Sequence, residues 1–96
     1  DTKAIEFEYD LESFGLFPNP TGDDVYVNLK SYEGMDANIQ IFNALGQPML
    51  NQDVVEIPAH AVRFDLSNFK NGIYTISIKV GNLKRMTKQF VIHKTY

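Results

Sequence analysis

The chain has 96 residues, 44% of them hydrophobic, with seven Phe, five Tyr and no Trp, which suits one globular domain around a single core. It has no cysteine, so disulfide frameworks and thiolate chemistry are excluded, and no apolar run approaches the ~18 residues of a helical membrane span. Net charge is −3 but uneven: all 12 acidic residues lie in 1–65 beside Lys3, Lys30 and Arg63, while 66–96 hold Lys70, Lys79, Lys84, Arg85, Lys88 and Lys94 and no acid.

The first residue is Asp rather than Met and no secretory leader is present, so the sequence reads as a fragment of a longer precursor. From the start the pattern is β. Ile5, Phe7 and Tyr9 alternate with Glu6 and Glu8, as on a half-buried strand, and 10–13 read as a linker. Residues 1–13 are therefore a linker or an extra strand from an upstream region, ahead of a domain over 14–96. Two prolines then flank Asn19, fixing φ at Pro18 and Pro20 and pressing Phe17 and Asn19 into extended conformations.

Next come Val25, Val27 and Leu29 on one face, then Ile39 and Ile41. Glu33-Gly34 marks a turn, and Asn43 to Gly46 another, with Gly46 free to take positive φ. The connection from Asn51 to Ala61, with Pro58 inside it, carries no motif. Val62, Phe64 and Leu66 align, then Tyr74, Ile76, Ile78 and Val80 after an Asn71-Gly72 turn, and finally Met86, Phe90 and Ile92. Only Ser67–Asn71 has room for a single helical turn. Short alternating runs broken every 8–12 residues predict an all-β sandwich or barrel.

The last hairpin fixes its own register. A two-residue loop at Gly81-Asn82 would set Ile78 against Arg85, whereas a loop of Gly81 to Leu83 sets Ile78 against Met86 and Tyr74 against Phe90. The longer loop is expected. It leaves Lys88 on the apolar side beside Ile76, where either a bulge turns it outward or its stem packs and its amine snorkels to water. Tyr74, two residues after Gly72, fits either a tyrosine corner, its hydroxyl returned to upstream backbone, or an ordinary core tyrosine.

Chemistry finds little footing. His60 falls in a loop and His93 at a strand end, and Ser13, Ser31, Ser67 and Ser77 sit in no strand–elbow–helix context, so no catalytic residues are assigned. Asn19, Thr21, Asp23 and Asp24 gather hard oxygens in one loop, but without a calcium-loop pattern they read as a turn, and no cofactor is expected. The basic C-terminal third lacks the interleaved exposed aromatics of a nucleic-acid surface. Its charges suit attraction to the acidic half of the fold, or a face turned to an acidic partner.

Four stretches in order, LFPNPTGDDVYV, IQIFNALGQ, FDLSNFKNGIYTISI and LKRMTKQFVI, make the chain resemble the C-terminal sorting domain (type A-like) of type IX secretion cargo over Phe14 to Lys94. The resemblance implies an immunoglobulin-like antiparallel β-sandwich of about seven strands and a non-catalytic role. It implies that outer-membrane machinery of a Gram-negative bacterium reads the folded domain in the periplasm and delivers its upstream cargo to the surface or medium. It further implies a sortase-like cysteine peptidase that cuts ahead of Pro18, releasing the cargo or anchoring it to an anionic lipopolysaccharide. Pro18, Asn19 and Pro20, Asn43 and Gly46, and Gly72 and Tyr74 match its motifs. Pro48, by contrast, stands where members often carry a strand-friendly apolar residue, which implies a late start for the strand after the central turn. Lys84, Arg85, Lys88, Phe90, Val91 and Ile92 match its terminal strand and carry the implied recognition. An alternative is a carbohydrate-binding or adhesin-like sandwich, for which Tyr26, Tyr32 and Phe42 are the outward aromatic candidates. Open edge strands would also permit weak self-association.

Overall fold

Alternation along the strands decides which side chains enter the core. In the computed structural model, which describes residues 14–95, seven strands form: β1 Gly15–Phe17, β2 Asp24–Asn28, β3 Ala37–Phe42, β4 Pro48–Val54, β5 Val62–Asp65, β6 Gly72–Val80 and β7 Lys84–Ile92. The strand expected over 5–9 and the linker over 10–13 lie outside the described residues. Two antiparallel sheets result, ordered β1-β2-β5 and β4-β3-β6-β7. Their inner faces meet through Val25, Val27 and Phe64 on one side and Ile39, Ile41, Ile76, Ile78 and Phe90 on the other, all buried. Each such side chain contributes roughly 1.5–3 kcal/mol of transfer free energy.

The final hairpin has the expected register. Tyr74 faces Phe90, Ile76 faces Lys88 and Ile78 faces Met86, with no interruption from Gly72↔Ile92 to Val80↔Lys84. Gly81 opens the three-residue loop at φ +49, a left-handed conformation that glycine adopts without a Cβ clash. No bulge turns Lys88 away. Its stem stays on the inner side while Nζ reaches out over the Phe14 ring, 5.1 Å from the centroid.

Several expectations need correction. Pro48 does not delay β4 but begins it, because β4 is an edge strand where a missing N–H costs no ladder bond. Pairing steps from Ile41↔Leu50 to Phe42↔Pro48, so Met49 is the extra residue of a bulge. Residues 51–54 are strand, and Ile57 in the connection beyond is fully buried, held by N–H to the Met35 carbonyl at 2.8 Å. Gly15–Phe17 forms a short strand that no sequence pattern announced. Among the described residues the single helical turn is Lys30–Tyr32; at Ser67–Asn71 the Phe69 N–H closes a turn on Leu66 instead.

Candidate functional site

β7 lies at the outer edge of the four-stranded sheet. Its strict register sends Met86, Phe90 and Ile92 inward and Arg85, Thr87, Gln89 and Val91 outward. The expected recognition residues therefore divide. Phe90 and Ile92, each 1% exposed, are core residues that hold the strand in place, whereas Val91 is 39% exposed. Arg85 stands on the outer face and donates to Ser77 Oγ at 2.8 Å. Lys84 and Lys88 share the inward parity, with Lys84 half-buried and Lys88 exposed at the rim. The three cations flank the strand on both faces rather than forming one patch.

The leading proline motif braces this strand. Thr21 donates its N–H to Val91 O at 2.9 Å and accepts from His93 N at 2.8 Å, a parallel bridge centred on Ile92. Asn19 Oδ1 accepts the Val91 N–H at 3.0 Å. Both peptide bonds leading into Pro18 and Pro20 are cis. Neither proline has an N–H that needs a partner, so the loop leans its polar atoms on β7 through Asn19 and Thr21. Because Val91 directs N–H and C=O away from β6, antiparallel alternation turns the backbone groups of Gln89, Thr87 and Arg85 to the same outer edge. Among the described residues no strand pairs with them there.

The other two motifs build corners of the sheet. Asn43 Oδ1 accepts from Leu45 N at 3.0 Å and Gln47 N at 2.9 Å, and the Gly46 N–H returns to Asn43 O at 2.9 Å. Gly46 closes that turn at φ +85. Tyr74, buried between Phe69 and Phe90, donates its hydroxyl to Lys70 O at 2.7 Å, the geometry of a tyrosine corner. Gly72 starts β6 opposite Ile92. Each of these residues fixes a turn or corner of the sheet, with Tyr74 buried and Gly46 and Gly72 at the surface.

The oxygen-rich loop after Pro18 is engaged by the protein itself. Thr21 Oγ1 donates to the Asp24 carbonyl, Asp24 pairs with Arg63 at 2.7 Å, and Asp23 lies 3.4 Å from the Lys94 ammonium. The Asp24 contact raises the already high pKa of Arg63. Lys94 was counted only as a basic residue by sequence reasoning, yet its amine donates to Leu66 O at 3.1 Å and Ser67 O at 2.8 Å, tying the chain end to the β5–β6 connection. Nothing in the sequence marks it apart from its neighbours. Asp65 caps the same connection, accepting from Ser67 N at 2.9 Å, and this bond holds its carboxyl below the usual carboxylate range. His60 Nδ1 sits 3.0 Å from its neighbour's carbonyl, that of Ala61, and His93 serves β7 through its backbone.

The aromatic candidates do not share a face. Tyr26 stacks on Phe17 outside the three-stranded sheet, with centroids 5.7 Å apart, and Phe42 points out of the opposite sheet. Tyr32 packs against the core with its hydroxyl 3.8 Å from Met86 Sδ.

No curated protein matches the chain. Among solved structures it is similar to a DUF3244 family protein with an immunoglobulin-like β-sandwich fold from Bacteroides vulgatus, at TM-score 0.71 and 18% identity over 88% of each chain. That likeness fixes the fold as an immunoglobulin-like sandwich. The family model of the secretion system C-terminal sorting domain matches residues 15–93, from the first residue of β1 to the His93 amide that Thr21 holds. The chain belongs to that family, the type IX secretion C-terminal sorting domains.

Proposed function

We propose that residues 14–96 act as a non-catalytic address label read in the folded state by the type IX machinery of the outer membrane. The cargo upstream is carried from the periplasm to the cell surface or medium, and a sortase-like cysteine peptidase cuts ahead of Pro18, releasing or anchoring it. The supporting observation is β7 itself: a basic strand on a sheet edge, braced at one end by the leading motif through Asn19 and Val91. In this reading Arg85 addresses the machinery from the outer face, Lys84 and Lys88 from the inner rim, and Val91 adds apolar contact. Phe90 and Ile92 contribute by keeping the strand in position.

The test places residues 1–96 behind a periplasmic reporter in a host with this secretion system. Deleting Leu83 to Tyr96 is a poor probe, since it removes buried Met86, Phe90 and Ile92 along with the strand. The double change Arg85→Glu and Lys88→Glu spares the buried apolar side chains and gives up the Arg85–Ser77 hydrogen bond and the Lys88–Phe14 contact, so the folded fraction of the variant is measured alongside its export. Expected is a folded domain whose reporter stays in the periplasm. A 1–96 fusion that never leaves the cell would overturn the sorting role, and undiminished export of the double variant would remove β7 from recognition.

A further inference from the structure

The edge of β7 already takes a strand partner at one end. Thr21 pairs with it in parallel, using Val91 O and His93 N. Two residues earlier, Asn19 offers Val91 a side-chain oxygen in place of the backbone carbonyl that a continuing strand would supply, and the chain then leaves the edge for β1. From Gln89 to Arg85 the outward backbone groups have the same geometry, and among the described residues no strand partner. Edge backbone of this kind accepts an added strand.

Charge decides what the occupant can be. Residues 66–96 contain no Asp or Glu, and Arg85 and Lys88 stand on opposite faces of the strand around the open stretch. A second copy pairing β7 to β7 would bring one basic edge against another with no acidic residue on either strand to offset it, and edge lysines serve elsewhere as a guard against such pairing. A strand bearing carboxylates meets opposite charge on either face.

We infer that the β7 edge from Arg85 to Gln89 is a strand-addition site for an extended, carboxylate-bearing segment of the secretion machinery. The inference rests on the sorting reading and gives its partner a chemistry: backbone pairing supplies the docking, and carboxylates beside Arg85 and Lys88 supply the selectivity. The Thr21 bridge marks where the added strand must stop.

The experiment uses the full 96-residue chain, 15N-labelled, and a capped hexapeptide of alternating glutamate and valine as the probe. In the chain alone the amides of Arg85, Thr87 and Gln89 are expected to exchange freely with solvent. With the peptide these amides shift and gain protection, the effect fades at high salt, and a lysine–valine peptide produces none. Thr87→Pro removes one outward N–H while leaving the β6 ladder whole, because proline is tolerated where the donor faces away from the sheet. It is expected to keep the near-native spectrum, lose the peptide response and lose export of the reporter. Arg85→Glu with Lys88→Glu keeps the backbone edge and is expected to reverse the preference to the lysine–valine peptide, so the idea stays testable if proline unfolds the domain. Protection of these amides before peptide is added, a sedimenting dimer, equal response to both peptides, or normal export by folded Thr87→Pro each overturns the inference. Failure of the unchanged chain to direct export strikes the sorting reading instead.

Discussion

The side-chain oxygen of Asn19 accepts the N–H of Val91 at 3.0 Å, joining residues 72 positions apart in sequence. A motif that reads locally as a stiff lead-in is thus a lateral support for the last strand. Pro18 and Pro20 leave no donors of their own to satisfy, Thr21 adds two backbone bonds, and the open part of the β7 edge begins where Asn19 ends. First and last motifs of the family form one structural unit.

Replacing Asn19 by Ala removes that bond and leaves the Val91 amide to water. The expected loss is about 0.5–1.5 kcal/mol, typical of one net hydrogen bond. Urea unfolding reads the stability, and amide exchange reads the location: Val91 speeds up while Ile78, deep in β6, changes only with global stability. Asn19→Asp keeps an acceptor in place and is expected to retain the protection of Val91. Equal acceleration in both variants would show that the amide, not the acceptor, of Asn19 matters.

Tyr74→Phe isolates the corner hydrogen bond. The ring keeps its contacts with Phe69 and Phe90, while the Lys70 carbonyl loses its 2.7 Å donor. A loss near 1 kcal/mol is expected, or a melting temperature lower by roughly 4–8 °C in a domain of this size. The urea m-value stays constant, because the same surface is buried. A variant as stable as the parent would make Tyr74 an ordinary core residue.

The long strands were legible in the sequence because burial on one face leaves a period of two, and β6 with β7 even disclosed their register, since the wrong loop puts Ile78 opposite Arg85. β4 was not legible, because an edge strand needs little apolar alternation: Leu50 and Val54 are only half-buried and Gln52 shares their face. β1 has three residues, too few for any period. Ile57 enters the core from an irregular segment through backbone bonds with Gly34 and Met35, which no local pattern announces. The basic residues of β7 were identifiable, and the register already put Lys88 on the apolar side; what it left open was whether a bulge would turn that residue out. The pairing runs unbroken, and Lys88 keeps the apolar parity because its stem is long enough to reach water past Phe14.

Asp65 gives the fold a modest acid sensitivity with a defined sign. The Ser67 N–H, then its hydroxyl, stabilises the carboxylate, and so lowers the pKa from its ordinary 3.8. A group whose folded pKa is depressed adds stability that is complete above its unfolded value and is lost as pH falls through the lower folded one. The contribution is therefore constant at neutral pH and disappears only below about pH 3.8. A carboxyl carbon titration by NMR should place the Asp65 midpoint below that value, and Asp65→Asn should flatten this part of the pH–stability curve. A midpoint at or above 3.8 would rule out the Ser67 contact as a stabilising one.

Two lysines near the chain end separate fold from recognition. Lys94 is nearly buried, its side chain 11% exposed, and its ammonium bonds two carbonyls at Leu66 and Ser67 and lies by Asp23. Among the described residues Lys88 brings its charge to the Phe14 ring, an exposed cation–π contact worth about 0.5–1 kcal/mol. Lys94→Met keeps the stem but strips both carbonyls of a charged donor, each such bond being worth about 1.5–3 kcal/mol. Lys88→Met keeps the packing over Phe14 and loses only the charge. Urea midpoints should fall clearly for Lys94→Met and barely for Lys88→Met. Export per folded molecule, with folded protein measured by resistance to protease in the periplasm, should show the opposite order: unchanged for Lys94→Met and lowered for Lys88→Met. If both variants lose export in proportion to stability, Lys88 is a scaffold residue, and the selectivity of β7 rests on Arg85.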